Sequence, residues 1–271
     1  MDQYRVYGNP INQSRSPYIH QQFAQQTVQD IDYQSELVEI DAFAHTVQRF
    51  IESGGKGANV TLPFKEQAMQ LCDQLTERAK LAGAVNTLSF LNGKIYGDNT
   101  DGVGLVRDLI AQQVVIKNKR ILLLGAGGAA RGVILPLLEQ APLSITIANR
   151  TVSKAEQLSR QFNDARTNFC GFEQLGDQSF DIVINATSAS LSGSIPAISV
   201  RVITADTVCY DMVYGKSITP FMTWAKQQGA NQVIDGLGML VGQAAESFFI
   251  WRNVVPETDP VMQSLRKAIS Q

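Results

Sequence analysis

The chain has 271 residues, enough for two ordinary domains, and with 44% hydrophobic and 18% charged residues it has the composition of a soluble globular protein. Its formal net charge of −2 and its lack of any lysine- or arginine-rich run argue against a nucleic-acid-binding surface. No apolar run approaches the roughly 20 residues that a membrane-spanning helix needs, and the first residues lack the basic-then-apolar pattern of a signal peptide. We therefore expect neither a nucleic-acid partner nor a membrane partner.

The cysteines and histidines limit the chemistry further. Cys72, Cys170 and Cys209 are scattered and odd in number, which is typical of reduced thiols in the cytoplasm and not of a disulfide framework. The two histidines, His20 and His45, form no close pair with a cysteine, so we expect no metal site. Acid–base chemistry must then come from Lys, Asp, Glu or Tyr side chains.

The first hundred residues predict a mixed α/β unit. A Ser-Pro pair opens the first predicted helix, with Ser16 as its N-cap and Pro17 in its first turn. The pair Asn92-Gly93 is a strong hairpin signal between two short strands. The predicted strands are Tyr4–Gly8, Tyr33–Ile40, Ala58–Thr61, Ala84–Phe90 and Lys94–Gly97. The predicted helices are Ser16–Thr27, Asp41–Ser53, Phe64–Asp73 and Thr76–Leu81.

From Gly102 onward, short apolar strands alternate with helices, which predicts a parallel, doubly wound sheet. The predicted strands are Ile121–Leu124, Leu143–Ala148, Asp181–Asn185, Val208–Met212 and Gln232–Ile234. The predicted helices are Gly102–Gln112, Val133–Gln140, Ser153–Phe162, Pro220–Gln228, Met239–Trp251 and Asp259–Ser270. We expect the last two helices to return to the first unit. The predicted domains are residues 1–101 with 238–271, and residues 102–237.

The glycine-rich segment after Leu124 has the sequence context of a dinucleotide site. A buried strand ends, the chain turns tightly, and a helix begins, so that unpaired N–H groups at the helix start face a pyrophosphate. A glycine pattern alone is weak, but here it has the required strand before it and helix after it. The candidate residues are Gly125, Ala126, Gly127, Gly128 and Ala129.

The next strand indicates which dinucleotide is bound. It ends on Asn149-Arg150-Thr151 instead of on an acid that would accept hydrogen bonds from a ribose 2′-hydroxyl. Arg150 suits a 2′-phosphate, and Lys154 lies one helical turn beyond it. This pattern favours NADP(H), although exposed charges at a helix start also fit simple solvation. Arg131, close to the glycine-rich turn, is a further candidate.

Two segments of the first unit carry candidate acid–base residues. Lys65 falls in the first turn of a helix, where the macrodipole disfavours a cation. A residue that goes against such a local preference is often a functional one. The segment also fits a lysine that points into water with Glu66 offsetting its charge. Asp101 follows a polar run at the expected hinge and cleft between domains, where ligand sites tend to lie, and it also fits a helix cap.

Ser14 and Ser16 allow two interpretations. Ser16 before a proline is a natural helix cap, while two hydroxyls at a helix N-terminus also make a site for a carboxylate. Both roles can coexist, because a hydroxyl group both donates and accepts hydrogen bonds.

Taken together, these segments resemble the shikimate dehydrogenase family, whose members are NADP-dependent enzymes of aromatic (chorismate) biosynthesis. Nine blocks match in the family's order and cover most of the chain, which makes the resemblance highly specific. The resemblance implies an α/β fold with a substrate-binding domain and a Rossmann-like, doubly wound NADP-binding domain. The blocks are Gly8–Pro10 with Ser14–Pro17, Gly57–Thr61 with Pro63–Lys65, Gly83–Thr87, Gly97–Gly102, Gly125–Ala129, Asn149–Thr151, Asn185–Ser188, Tyr210–Tyr214 and Asp235–Ala244.

The resemblance also implies roles for individual residues. Lys65 and Asp101 are the catalytic pair, with the lysine placed to donate a proton to the developing alkoxide. The substrate carboxylate is held by Ser14, Ser16 and Tyr214. The ring hydroxyls are bound by the catalytic pair together with Asn59, Thr61, Asn86 and Gln243. The cofactor is bound by Gly125, Ala126, Gly127, Gly128, Ala129, Asn149, Arg150, Thr151, Lys154, Thr187, Met212 and Gly236.

The implied reaction is the reversible, NADPH-dependent reduction of 3-dehydroshikimate to shikimate by a monomer or homodimer. One alternative is a broad-specificity quinate/shikimate dehydrogenase. The NAD-using branch of that kind carries an acid in the ribose region, and Thr151-Val152-Ser153 supplies none. The other alternative is a non-catalytic regulator that binds shikimate or a nucleotide, and the presence of both Lys65 and Asp101 argues against it.

Two residues depart from the family's pattern. Arg15 stands where lysine is frequent, which matters little if the flanking serines bind the substrate. Ser190 stands where glycine is usual. If that glycine needs a positive φ, Ser190 must strain or shift the loop near the nicotinamide.

Overall fold

The computed structural model describes residues 1–270, which divide into two compact units. The first unit comprises Met1–Gly104 and Val241–Leu265, and the second comprises Leu105–Leu240 and the described residues 266–270. Each unit contains one six-stranded sheet. Within the described range, no helix has both the length and the apolar character needed to cross a bilayer.

The first unit is a mixed sheet with helices. Its sheet has the order β2-β1-β3-β5-β6-β4, in which β5 runs antiparallel to both of its neighbours. The strands are β1 (Asp2–Gly8), β2 (Ile31–Leu37), β3 (Gly57–Val60), β4 (Gln74–Leu75), β5 (Thr87–Leu91) and β6 (Lys94–Asp98). Its helices include α1 (Ser16–Thr27), α2 (Phe43–Glu52), α3 (Lys65–Leu71) and α4 (Glu77–Ala82), and α5 (Asp101–Ala111) begins in this unit and continues into the second from Leu105.

Aromatic side chains fill the core of the first unit. One cluster packs Tyr7 edge-on against Phe43 and Phe50, and Phe43 stacks on Phe64 with the ring planes 4° apart. Another group of aromatic rings surrounds His20, which is fully buried. Large buried rings stabilise a core strongly, because each removes much apolar surface from water.

The second unit has the doubly wound architecture that alternating strands and helices predict. All six strands are parallel, in the order β12-β11-β10-β7-β8-β9. The strand order reverses between β7 and β10, and ligands of such sheets bind at that switch point, outside the carboxyl ends of the strands. The strands are β7 (Arg120–Leu124), β8 (Ser144–Ala148), β9 (Thr167–Cys170), β10 (Ile182–Asn185), β11 (Val208–Asp211) and β12 (Gln232–Asp235). The helices α6 (Gly128–Glu139), α7 (Val152–Phe162) and α8 (Pro220–Gln227) lie in this unit, whereas most of α9 (Leu237–Arg252) and the first half of α10 (Asp259–Ser270) belong to the first unit.

The β7 strand shows why a short apolar run becomes the centre of this sheet. Ile121 and Leu123 face one hydrophobic core, while Leu122 and Leu124 face the core on the other side. All four are fully buried, as expected of a parallel strand that is covered on both faces.

Several element boundaries differ from the sequence predictions. β4 and β9 were not predicted, because β4 has two residues and β9 is a half-exposed edge strand without an apolar pattern. α6 begins at Gly128, five residues before the predicted start at Val133, since the tight turn is complete by Gly127. Residues Val241–Leu265 belong to the first unit, which agrees with the predicted return of the C-terminal helices, whereas the end of α10 from Arg266 belongs to the second.

Candidate active site

The glycine-rich turn between β7 and α6 leaves room for a phosphate group. Gly125 has φ +107°, and a Cβ there would lie 3.2 Å from the Thr187 side chain, so a side chain at this position would be both strained and crowded. At Gly127 and Gly128, a Cβ would meet nothing within 4 Å. Gly127, Gly128 and Ala129 are exposed, so the N–H groups of the first turn of α6 are accessible. These residues fit a pyrophosphate at a helix N-terminus.

The end of β8 carries the basic residues expected for a 2′-phosphate. Asn149 donates from Nδ2 to the carbonyl oxygen of Thr151 at 2.9 Å, which shapes the loop before α7. Arg150 and Lys154 are exposed on this loop and in the first turn of α7, where no acidic residue occurs. The combination of two cations and a helix N-terminus fits a dianionic phosphate.

The three remaining cofactor candidates follow the carboxyl ends of β10, β11 and β12. Thr187 lies beside Gly125, as described above. Met212 and Gly236 are in contact, because a Cβ on Gly236 would lie 2.1 Å from the Met212 carbonyl oxygen. All cofactor candidates therefore lie in the second unit, on loops at the same edge of its sheet.

Lys65 and Asp101 form a direct ion pair in the first unit. Lys65 is the first residue of α3 and Asp101 the first of α5, and Lys65 Nζ lies 2.5 Å from Asp101 Oδ2. Their side chains are 26% and 15% exposed, so the pair is accessible without being fully solvated. The other oxygen, Asp101 Oδ1, accepts a hydrogen bond from Asn86 Nδ2 at 2.8 Å. The Asp101 carboxylate is thus engaged by a cation and an amide, while its backbone N–H donates to Asn99 Oδ1.

Asn86 connects this pair to further candidate residues. Its Oδ1 accepts from the Thr100 backbone N–H at 2.9 Å, which fixes the amide orientation. Its Nδ2 lies 3.4 Å from Gln243 Oε1 on α9. The structure therefore brings Lys65, Asp101, Asn86 and Gln243 together.

Asn59 lies deeper in the first unit. Its Oδ1 accepts from the Tyr33 hydroxyl at 2.7 Å, and its Nδ2 lies 3.0 Å from Ser247 Oγ and 3.2 Å from Thr87 Oγ1. Asn59 is buried, and both ends of its amide are engaged within the protein. Burial raises the pKa of Tyr33 well above its ordinary value, against a smaller lowering by a hydrogen bond with the Ser16 side chain.

The prediction that Ser16 caps α1 is wrong. The cap position is Arg15, which already has helical backbone angles, and no side chain makes a capping hydrogen bond there. Ser14 Oγ instead accepts from the Ser16 backbone N–H at 3.3 Å. Thr61 follows β3 and is half-buried, with its N–H bonded to the Tyr7 carbonyl oxygen.

Tyr214, which was predicted as a substrate-binding residue, lies in the second unit three residues beyond β11.

Some residues that support the site were not predicted from the sequence. The unpredicted residues are buried side chains whose polar groups hydrogen-bond to other buried polar side chains, and no spacing rule singles them out. A polar residue inside an apolar helix, as at position 247, is the one available signal. They are Tyr33, Thr87, Thr100, Ser247 and Asp211.

A doubly wound parallel sheet with a glycine-rich turn at its switch point, in one chain with a lysine–carboxylate pair, defines an α/β dinucleotide-binding protein with acid–base residues. Three family models match the chain: "Shikimate dehydrogenase substrate binding domain" at residues 6–88, "Shikimate / quinate 5-dehydrogenase" at 108–194, and "Shikimate 5'-dehydrogenase C-terminal domain" at 236–266. The chain belongs to the shikimate dehydrogenase family.

Individual relatives agree with this assignment. A shikimate dehydrogenase (NADP(+)) of Colwellia psychrerythraea is 62% identical, over 99% of this chain and 98% of the relative. The crystal structure of an Ael1 enzyme from Pseudomonas putida is 44% identical, with a TM-score of 0.95 and 98% of each chain covered. Shikimate 5-dehydrogenase from Thermus thermophilus, solved in complex with NADP(H) and shikimate, is 28% identical with a TM-score of 0.89, over 99% of this chain and 100% of that one.

Proposed function

We propose that this protein is an NADP-dependent oxidoreductase that reversibly reduces 3-dehydroshikimate to shikimate in aromatic (chorismate) biosynthesis. The observation that carries the proposal is the 2.5 Å contact between Lys65 Nζ and Asp101 Oδ2. An ammonium group held by a carboxylate at an accessible position is suited to proton transfer at an alkoxide.

In the proposed mechanism, the hydride comes from the cofactor and the proton comes from the protein. When bound, NADPH supplies the hydride, which forms the new C–H bond at the carbonyl carbon of the substrate. Lys65 stabilises the oxygen as negative charge develops on it and donates the proton that completes the hydroxyl group. In the reverse direction, neutral Lys65 accepts that proton. Asp101 holds Lys65 Nζ in place, and Asn86 holds Asp101 through Oδ1.

The substrate contacts are assigned by chemistry. We propose that the hydroxyls of Ser14, Ser16 and Tyr214 bind the substrate carboxylate. Thr61, Asn86 and Gln243 offer hydroxyl and amide groups to the ring hydroxyls. Asn59 belongs to the same set, but since its amide is already engaged by Tyr33 and Ser247, we propose that it supports the substrate site from within the core.

The cofactor contacts follow the edge of the second sheet. We propose that the first turn of α6 binds the pyrophosphate, and that Asn149, Arg150, Thr151 and Lys154 bind the 2′-phosphate end. Thr187, Met212 and Gly236 are assigned to the other end of the cofactor. The remaining parts of the proposal are a cytoplasmic location, a monomeric or homodimeric state, and no binding of nucleic acid or membrane.

One assay tests the proposed function against its alternatives. Shikimate and quinate are each offered with NADP⁺ and with NAD⁺, and the NADPH or NADH absorbance band is followed. We expect the largest kcat/KM for shikimate with NADP⁺. A preference for quinate and NAD⁺ would identify a broad-specificity quinate/shikimate dehydrogenase. If no absorbance develops at high enzyme concentration, the protein is a non-catalytic binding protein.

A further inference from the structure

A fully buried carboxylate lies directly behind the proposed cofactor loops. Asp211, the last residue of β11, is 0% exposed and accepts four hydrogen bonds, two on each oxygen. Ser190 Oγ and Thr219 Oγ1 each lie 2.6 Å from Oδ2. Asn185 Nδ2 and the Val213 backbone N–H each lie 3.1 Å from Oδ1. We refer to these five residues as the Asp211 cluster.

The Asp211 cluster joins three segments that are separate in sequence. Asn185 ends β10, Ser190 lies in the 3₁₀ turn Ala189–Ser192, and Thr219 caps α8 by accepting from the Met222 N–H. The four donors to Asp211 are the Asn185 amide, the hydroxyls of Ser190 and Thr219, and the Val213 backbone N–H. All four are neutral, so they hold the carboxylate by hydrogen bonds and not by ion pairing. Burying a carboxylate costs free energy unless hydrogen-bond donors occupy its acceptor positions. Loss of one donor should therefore disturb all three segments.

The cluster reaches the proposed cofactor residues through Asn185. While Asn185 Nδ2 is held by Asp211, its Oδ1 accepts from Thr187 Oγ1 at 2.7 Å and from the Thr187 N–H at 3.1 Å. Thr187 in turn lies against Gly125 of the glycine-rich turn. Met212 follows Asp211 directly in the chain. The orientation of one buried carboxylate therefore sets the positions of the loops after both β10 and β11.

Ser190 is the member of the cluster that departs from the family's usual glycine. It is not among the non-glycine residues with positive φ, so its backbone needs no glycine and is not strained. The expected strain at this position is therefore absent. Its side chain is buried and its hydroxyl takes one of the four acceptor positions of Asp211.

We propose that Asp211 and Ser190 are positioning residues that hold the Thr187 and Met212 loops in the shape that binds the nicotinamide half of NADP(H). This inference rests on the proposed function. It concerns one half of the cofactor only: Arg150 follows β8 on one side of β7, whereas Thr187 and Met212 follow β10 and β11 on the other side. A dinucleotide at a switch point spans both sides.

The test compares Ser190→Ala with a control that loses a buried hydroxyl elsewhere in the same unit. Ser159→Ala is suitable, because Ser159 is also buried and its hydroxyl bonds to Thr167 on the edge strand β9. For wild type and both variants, dissociation constants are measured by titration with NADPH, with NADH and with adenosine 2′,5′-bisphosphate, without substrate, and Tm is recorded. Ser190→Cys, which keeps the size of the side chain with a weaker donor, repeats the measurement if Ser190→Ala does not fold.

We expect Ser190→Ala to raise the Kd of NADPH about three- to tenfold and to leave the Kd of adenosine 2′,5′-bisphosphate unchanged. Ser159→Ala should change neither Kd. Equal weakening of both ligands, or an unchanged Kd for NADPH in a folded variant, would overturn the positioning role. If wild type itself binds NADPH no better than NADH, the proposed function fails instead, which separates the two outcomes.

Discussion

Lys65 is the residue on which the proposed proton transfer depends. Replacing it by alanine should lower kcat about 10²- to 10⁴-fold, the usual contribution of a positioned acid, and leave the Kd of NADPH within about a factor of two. Steady-state rates with shikimate and NADP⁺, together with a fluorescence titration of NADPH, check both parts. Lys94→Ala, which removes an exposed lysine of the same unit, is the matched control and should keep full activity. Unchanged turnover in Lys65→Ala would remove this lysine from the mechanism.

Arg150 is the residue proposed to distinguish NADP⁺ from NAD⁺. Since a charge-assisted hydrogen bond contributes about 1.5–3 kcal/mol, Arg150→Ala should raise the KM for NADP⁺ about 10- to 100-fold and change the KM for NAD⁺ little. Arg160→Ala is the control on α7, the helix that follows the Arg150 loop, because Arg160 is exposed and paired with Glu156. Equal losses with both cofactors would contradict a contact to the 2′-phosphate.

At the scale of residues, the sequence predicts which side chains are candidates but not what each one contacts. Lys65 and Asp101 are 36 positions apart, and no spacing rule links them. Their contact depends on how β3, β5 and β6 bring the starts of α3 and α5 together. Asn59 shows the converse: the sequence marks it as a substrate ligand, and only the fold reveals that its amide is already bonded to Tyr33 and Ser247.

At the scale of elements, α1 carries a buried histidine that makes stability depend on pH. His20 stacks on Tyr33, with ring centroids 4.1 Å apart, and burial lowers its pKa to about 3, against a smaller opposing effect of Asn59. Its ordinary pKa is 6.5, so between these two values the unfolded chain binds a proton that the folded chain does not. The stabilisation by neutral His20 is therefore complete above pH 6.5 and is lost as the pH falls.

We expect the free energy of unfolding to fall by about 1.4 kcal/mol per pH unit below pH 6.5 because of this group. His20→Phe, which keeps a flat ring without a titrating group, should reduce that slope between pH 6.5 and pH 5. Asp2 and Asp164, whose carboxyl pKa values are lowered by hydrogen bonds from Arg252 and Arg166, affect stability only at more acidic pH. Urea unfolding at several pH values gives the slopes. Parallel slopes for the two proteins would show that His20 does not cause the acid sensitivity.

The elements that could be predicted from the sequence are those with a clear pattern of apolar residues. β7 was predicted because its four apolar residues are buried on both faces, and α10 because its apolar positions, such as Val261 and Leu265, fall on one face. β9 was not predicted because it lies at the edge of the sheet. Half of its residues are exposed there, so the strand can form without a run of apolar residues. Local backbone geometry was also inaccessible, as the cap of α1 at Arg15 shows.

At the scale of the whole molecule, the parallel direction of the strands in the second unit follows from simple connection rules once the elements are known, whereas the order of the strands was not predicted. Alternating strands and helices with short connections predict a parallel, doubly wound sheet, and the second unit has this topology. The antiparallel β5 in the first unit follows from the Asn92-Gly93 hairpin, which pairs β5 with β6. What the sequence does not predict is the buried polar network within each unit, because hydrogen-bond partners there come from distant parts of the chain.

Cofactor binding should be visible as a change in the stability of the whole chain. The unfolded chain has no glycine-rich turn at a helix start and no assembled basic loop, so NADP⁺ binds the folded state alone and stabilises it by mass action, by about 2.7 kcal/mol at 100 times its Kd. NAD⁺ at the same concentration should raise the apparent Tm less, because it leaves Arg150 and Lys154 without a phosphate partner. Hydrogen exchange should show new protection by NADP⁺ at residues 125–129 and 150–154. An equal rise in Tm with NAD⁺, or protection confined to the first unit, would contradict the proposed cofactor site.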